Sequence, residues 1–197
     1  YLSAELVSEA SGIMQTVTQQ ALAGGTAPTV KTEDYSNAFN AFEMYSWNVL
    51  VLDTVDSDVK ALAKTYMDRI HDNGALGICV LGEEANKSLA ERMTNAKSYN
   101  APYFVYVGSG YYDTSGDRME EYISAAVQAG VIGCKESSKS IVHTEIPDAD
   151  SCIEQLTNEQ YIEAINAGLL LLSEGQEGQV WSVSYTHLRA HETLANL

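Results

Sequence analysis

LAGGTAPTVKTEDYSNAFNAFE, residues 22–43, is the stretch where this chain changes character. Gly24-Gly25 makes a small-residue turn. Thr32 is placed to cap a helix whose first turn holds Glu33 and Asp34, where the helix dipole favours anions. Tyr35, Phe39, Phe42 and Tyr45 then recur at helical spacing, and Asn48 to Leu52 follows almost at once as a strand. A helix handing over so quickly to a strand opens an alternating α/β domain.

Forward of this stretch the alternation continues. Val59, Leu62, Ala63, Tyr66 and Ile70 form the apolar stripe of a second helix, stopped by Asn73-Gly74. Leu76 to Leu81 is a continuous apolar run, as expected of a strand covered on both faces. A helix from about Glu84 to Ala96 and the strand Tyr103 to Val107 come next. A further helix is capped by Asp117, with Met119, Tyr122, Ile123, Ala126 and Val127 as its apolar members. Ser140 to Ile146 reads as a strand. Thr157 and Gln160 make a capping box for a helix that packs Tyr161, Ala164 and Ile165 and stops at Gly168. Leu169 to Leu172 is a last strand before Gln179-Val180-Trp181. The expected fold is a mostly parallel sheet with helices on both faces.

Backward of it, Tyr1 to Glu9 and Met14 to Gln20 read as two strands joined at Ser11-Gly12. The expected organisation is the end of a preceding β-rich domain or insertion at 1–22, an α/β core at 23–181, and a non-native tail at 182–197. That tail, SVSYTHLRAHETLANL, breaks the composition and carries His187 and His191, two of the 4 histidines. It resembles translated sequencing-adapter sequence and takes no part in the functional reading.

The 197 residues suffice to bury roughly 70% of the surface of the unfolded chain, enough for an independent core. Hydrophobic content of 45% and charged content of 19% are values of a folded domain, not a disordered one. A formal charge of -16 repels phosphates, and Lys60, Lys64 and Arg69 are diluted by Asp56, Asp58, Asp68 and Asp72, so no direct nucleic-acid contact is expected. Cys79, Cys134 and Cys152 make neither a disulfide framework nor a zinc pattern, and read as buried, reduced thiols. No apolar run is long enough to span a bilayer as a helix, so no membrane insertion is expected.

Catalytic constellations fail on their spacing. Asp53 just past a strand and His71 at the end of the next helix offer the acid and base of a subtilisin-type triad. Ser137, Ser138 and Ser140 lack the glycine framing that a nucleophile and oxyanion hole require. Gly108-Ser109-Gly110 follows a strand like a dinucleotide loop, yet Asp113 stands where the third glycine belongs. Glu83-Glu84 and Glu120-Glu121 read as helix-start acids needing no metal. No cofactor or metal is expected. The 12 tyrosines against 3 phenylalanines point instead to surfaces, and Tyr99, Tyr103, Tyr111 and Tyr112, placed at turns, are the candidate interface residues.

Beside these readings stands a resemblance. The Gly24-Gly25 turn, Tyr35 and Phe42-Glu43 recur in that order at the opening of the central domain of contractile-tail sheath proteins of bacteriophages. So do Trp47-Asn48-Val49-Leu50, Ala125-Ala126-Val127-Gln128-Ala129-Gly130, and Leu156-Thr157-Asn158-Glu159-Gln160 running on to Ala167-Gly168-Leu169. The resemblance implies a subtilisin-like topology without the protease triad. It implies a structural subunit whose partners are other sheath subunits and the tail tube protein, found in the virion tail after assembly in the bacterial host cytoplasm. The sheath of a bacteriocin-like injection device belongs to the same class. The rival expectation is a divergent serine hydrolase using Asp53 and His71.

Overall fold

Residues 29–136, 140–175 and 178–183 are described by the structure, a computed structural model. The strands read at Tyr1–Glu9 and Met14–Gln20, the Gly24-Gly25 turn, Ser137, Ser138 and the tail from residue 184 lie outside them. A compact unit begins at Lys31. Its first half runs α1 (Thr32–Phe42), β1 (Val49–Val51), α2 (Ser57–Asp72), β2 (Ile78–Gly82), α3 (Leu89–Ser98) and β3 (Phe104–Val107). Then come β4 (Tyr111–Asp113), β5 (Arg118–Met119), α4 (Glu121–Cys134), β6 (Ala149–Cys152), α5 (Asn158–Asn166), β7 (Leu169–Leu170), β8 (Leu172–Glu174) and β9 (Val180–Ser182).

The central sheet is four-stranded, in the order β1-β2-β3-β7, and every pairing in it is parallel. Strand residues alternate between its faces with period two, and each face has its own core. Cys79, Leu81, Phe104, Tyr106, Leu169 and Leu171 pack against Phe39, Ala63, Tyr66, Met67, Ala96 and Ala164 of α1, α2, α3 and α5. Val80, Val105, Val107 and Leu170 pack against Ala125 and Ala129 of α4. Helices on both faces of a parallel sheet are what the alternating pattern predicts.

A second layer of strands escapes that pattern. β4 lies between β5 and β6 in a three-stranded antiparallel sheet, and β8 pairs antiparallel with β9. Tyr111, Ile146, Leu172 and Val180 form the core beneath them. The apolar run 169–172 is therefore two strands: β7 completes the parallel sheet and β8 leaves it. Ser140 to Ile146 is not a strand. His143 there has φ 57, in the left-handed region, and only Glu145 bridges to Trp181.

Several boundaries move for local reasons. α1 is capped at Lys31, whose N–H donates to Asp34 Oδ2 at 2.8 Å. It stops at Phe42, which leaves that ring 39% exposed and puts Tyr45 off the helix at 68%. α3 begins at Ser88, not Glu84, because Asn86 has φ 65 and Ser88 makes the capping box with Glu91. Asp117 does not cap α4; its N–H donates to Asp113 Oδ1 at 2.7 Å and closes the β4–β5 turn. The buried face of α4 is Glu121, Ser124, Ala125, Gln128 and Ala129, while Tyr122 and Ala126 point outward. The apolar part of this face is small, Ala125 and Ala129, because the start of the helix crosses β2 at very close range at Gly82. The Thr157 capping box and the stop at Gly168, with φ 90, are as read. Among the cysteines Cys79 is buried and Cys152 half-buried, but Cys134 is exposed.

Candidate functional site

In open parallel sheets, ligands and chemistry collect beyond the carboxyl ends of the strands, where helix N-termini converge. That edge is formed here by the ends of β1, β2 and β3 with the first turns of α2 and α3. Two clusters of buried charge line the two cavities at this edge, of about 590 and 400 Å³.

The first centres on Glu83, 3% exposed, directly after β2. Its Oε2 accepts from Tyr106 Oη at 2.8 Å and from Asn95 Nδ2 at 2.7 Å, and its Oε1 accepts from the Glu84 N–H at 2.9 Å. Lys60, 4% exposed on α2, places Nζ 3.7 Å from Glu83 Oε1 and donates to Tyr106 Oη at 3.5 Å. Burial pushes the Glu83 carboxyl up, but the three hydrogen bonds and the Lys60 charge outweigh it and hold Glu83 below the usual range. Burial lowers the Lys60 ammonium and raises the Tyr106 phenol.

The second centres on Arg92, 4% exposed on α3. Its Nη1 donates to the Gly108 carbonyl at 2.5 Å and lies 3.8 Å from Glu121 Oε1, and its Nη2 pairs with Glu154. One guanidinium thus ties α3 to the loop after β3, to the first turn of α4 and to the segment after β6. Among the described residues, Arg92 Nε and Glu121 Oε2 have no hydrogen-bond partner. Burial raises the Glu121 carboxyl above its ordinary value, and Arg92 only partly offsets it.

The two carboxylates have opposite pH signatures. Glu83, depressed in the fold, contributes stability that is present above about pH 4.5 and lost as pH falls through its folded value. Glu121, raised in the fold, contributes stability that is complete below about pH 4.5 and lost as pH rises through its folded value. Glu121→Gln is therefore expected to gain stability relative to the parent chain between about pH 5 and 7. Urea unfolding across that interval checks it, and identical pH slopes for the two proteins would contradict the assignment.

The groups considered for a triad are committed elsewhere. Asp53 accepts from Tyr35 Oη at 2.9 Å on an exposed surface. His71, in the last turn of α2, holds Nε2 2.9 Å from the Gly77 carbonyl, which fixes that nitrogen as the donor. Its ring stacks on Tyr103 with centroids 4.0 Å apart. Ser140 is exposed, and its Oγ accepts from the Val142 N–H at 3.1 Å. Gly110, after the Gly108-Ser109 loop, leads directly into β4.

A family model for the phage tail sheath protein central domain matches residues 29–182 of this sequence. The chain belongs to the phage tail sheath family. Solved structures similar to it include a sheath tail protein from Desulfitobacterium hafniense, with TM-score 0.74 and 20% identity over 89% of this chain and 40% of that one. A sheath tail protein from Listeria innocua gives TM-score 0.70 and 18% identity over 86% of this chain and 36% of that one. The helical sheath of the anti-feeding prophage in its contracted state gives 0.54 and 14%, over 80% of this chain and 44% of that one. The chain therefore spans less than half the length of these neighbours, and the likeness shows their fold. A comparison with curated proteins gives no match.

In this sheath domain the four tyrosines named from the sequence have different fates. Tyr111 is 4% exposed on β4, within the core under the antiparallel sheet, so its expected place at a surface turn is corrected. Tyr99 is half-buried at the end of α3, tilted against Phe104 and Tyr106. Tyr103 is half-buried, its hydroxyl donating to Asp68. Tyr112 is half-buried on β4. Glu83 and Glu121 are not the solvated helix-start acids they resemble in sequence; both are buried. One signal for the clusters was present: Lys60 shares the buried face of α2 with Ala63 and Met67, at spacings of three and four.

Proposed function

We propose that this chain is the central part of a structural subunit that polymerises with copies of itself around a tail tube and contracts to drive the tube through a host envelope. Family membership across residues 29–182 carries the reading. The fold shared with a helical sheath in its contracted state supports it. On this reading the subunit acts in the virion tail after assembly in the host cytoplasm, and an injection device of the anti-feeding type would use it identically. The division into 1–22, 23–181 and 182–197 belongs to the same proposal. So does a subunit contact at Tyr112, the one of the four tyrosines we retain for that role.

Such a subunit must move as a rigid body between two sets of neighbours. The carboxyl edge supports this: groups that a hydrolase would present to substrate are bound to one another across helices and loops. The chain then does no catalysis. Electron microscopy of the full-length protein is expected to reveal tubular polymers. A serine-directed fluorophosphonate probe is expected to leave it unlabelled; stoichiometric labelling lost in Asp53→Ala would replace the structural reading with a hydrolase.

A further inference from the structure

Among the described residues, Phe42, Met44, Tyr45 and Leu76 are large hydrophobic side chains 39%, 78%, 68% and 89% exposed. Tyr45 and Leu76 line a groove of about 380 Å³ at the amino ends of β1 and β2, together with Ser46, Trp47, Tyr66 and Ala75. Phe42 and Met44 flank the same wall in sequence. Clustered apolar exposure marks a contact surface where scattered exposure does not. The wall behind these residues is firmly packed: Tyr66, 3% exposed, stacks on Phe39 and Trp47, so the groove keeps its shape.

We propose that this groove receives an apolar side chain from a second copy of this chain. The inference rests on the sheath reading and adds the face that is used. Charge selects the occupant. Two copies carrying -16 each repel wherever carboxylates meet, so a self-contact needs a neutral surface, whereas a basic partner would favour an acidic one. The one charged residue lining the groove, Glu43, is neutralised by Arg69. The two cavities of the carboxyl edge are lined instead by charges of both signs, among them Asp56, Glu84, Lys87, Glu91 and Arg118, which a contact there would have to desolvate. Because the groove is concave, the neighbour fills it with a convex element from a different face. That makes the contact heterologous, the kind that propagates into rings or helices and does not close into a dimer.

The full-length protein with p-benzoylphenylalanine at position 76 tests this by photo-crosslinking in the pelleted polymer. A covalent product of two subunits is expected. A product with any other protein, or an uncrosslinked polymer, overturns the proposal and leaves the sheath reading standing. Failure of the unsubstituted protein to polymerise overturns both. Tyr45→Asp and Leu76→Asp, each at a solvent-facing position, are expected to lower the pelleted fraction about tenfold with unchanged melting temperature, while Asp53→Asn leaves it unchanged. Pelleting equal to the parent in both variants also overturns the proposal.

Discussion

Gly82→Val is expected to abolish cooperative unfolding of the domain, and Gly82→Ala to remove at least about 3 kcal/mol of its stability. Gly82 ends β2, in register with Val107 on β3, and its Cβ direction is toward α4. A Cβ placed there would fall on Tyr122 Cα, 2.8 Å from the Glu121 carbonyl oxygen and 2.9 Å from the Tyr122 nitrogen. All three are backbone atoms, so no rotamer change relieves the overlap and the whole first turn of α4 must back away. That retreat would also carry Glu121 away from Arg92. Urea unfolding followed through Trp47 fluorescence measures the loss. Gly130→Ala supplies the contrast, because a Cβ at that position within α4 meets nothing within 4 Å. It is expected to raise stability by about 0.5–1 kcal/mol through helix propensity and reduced unfolded-state entropy. Equal effects at the two glycines would mean that the close approach of α4 to β2 is not what Gly82 serves.

The same crossing explains where the sequence could be read and where it could not. β1, β2 and β3 are hydrophobic runs bounded by turns, and α2 and α5 carry an apolar stripe with a cap. In these elements the local pattern and tertiary burial agree, and the parallel sheet follows from them. α4 was readable as a helix but not in its facing. Pattern reasoning turns large apolar residues inward, and here the space between α4 and the sheet takes Ala125, Ala129 and Ser124, with the polar Glu121 and Gln128 beside them and Gly82 opposite. β6, with sequence Ala-Asp-Ser-Cys, carries no strand signal; it is a strand because β4 and the β8–β9 ribbon lie beside it.

The carboxyl edge was illegible for a related reason. Glu83-Glu84 and Glu120-Glu121 are each a pair of identical residues of which one member is buried and the other is more open. Nothing local separates the members, because what separates them is Tyr106, Asn95 and Arg92 arriving from 12 to 29 residues away. The exposed cluster at the amino edge escaped notice for the opposite reason. Phe42 and Tyr45 satisfy a helical spacing that the helix itself abandons at its last turn, so rings that read as core are surface.

The Glu83 cluster should show strong non-additivity. Glu83→Leu is expected to cost about 3–5 kcal/mol, since it leaves the Lys60 ammonium buried without its counter-charge. It also strips the acceptor from the Tyr106 hydroxyl and the Asn95 amide. Lys60→Met is a milder change. Lys60 sits 3.7 Å from Glu83 and 3.5 Å from the Tyr106 oxygen, longer than the contacts Glu83 makes with its three donors, so Glu83 stays solvated by those donors when the lysine goes. Burial already weakens the charged form of Lys60, and a thioether of similar length keeps the packing against α2. The expected cost is below about 1 kcal/mol. In the double variant Lys60→Met/Glu83→Leu no buried charge is left unpaired, and it should recover at least about 2 kcal/mol relative to Glu83→Leu alone. A double-mutant cycle by urea unfolding measures the coupling directly. Additive losses would show that Glu83 is held by Tyr106, Asn95 and the Glu84 N–H alone, with the lysine a bystander to the network that stiffens this edge of the sheath domain.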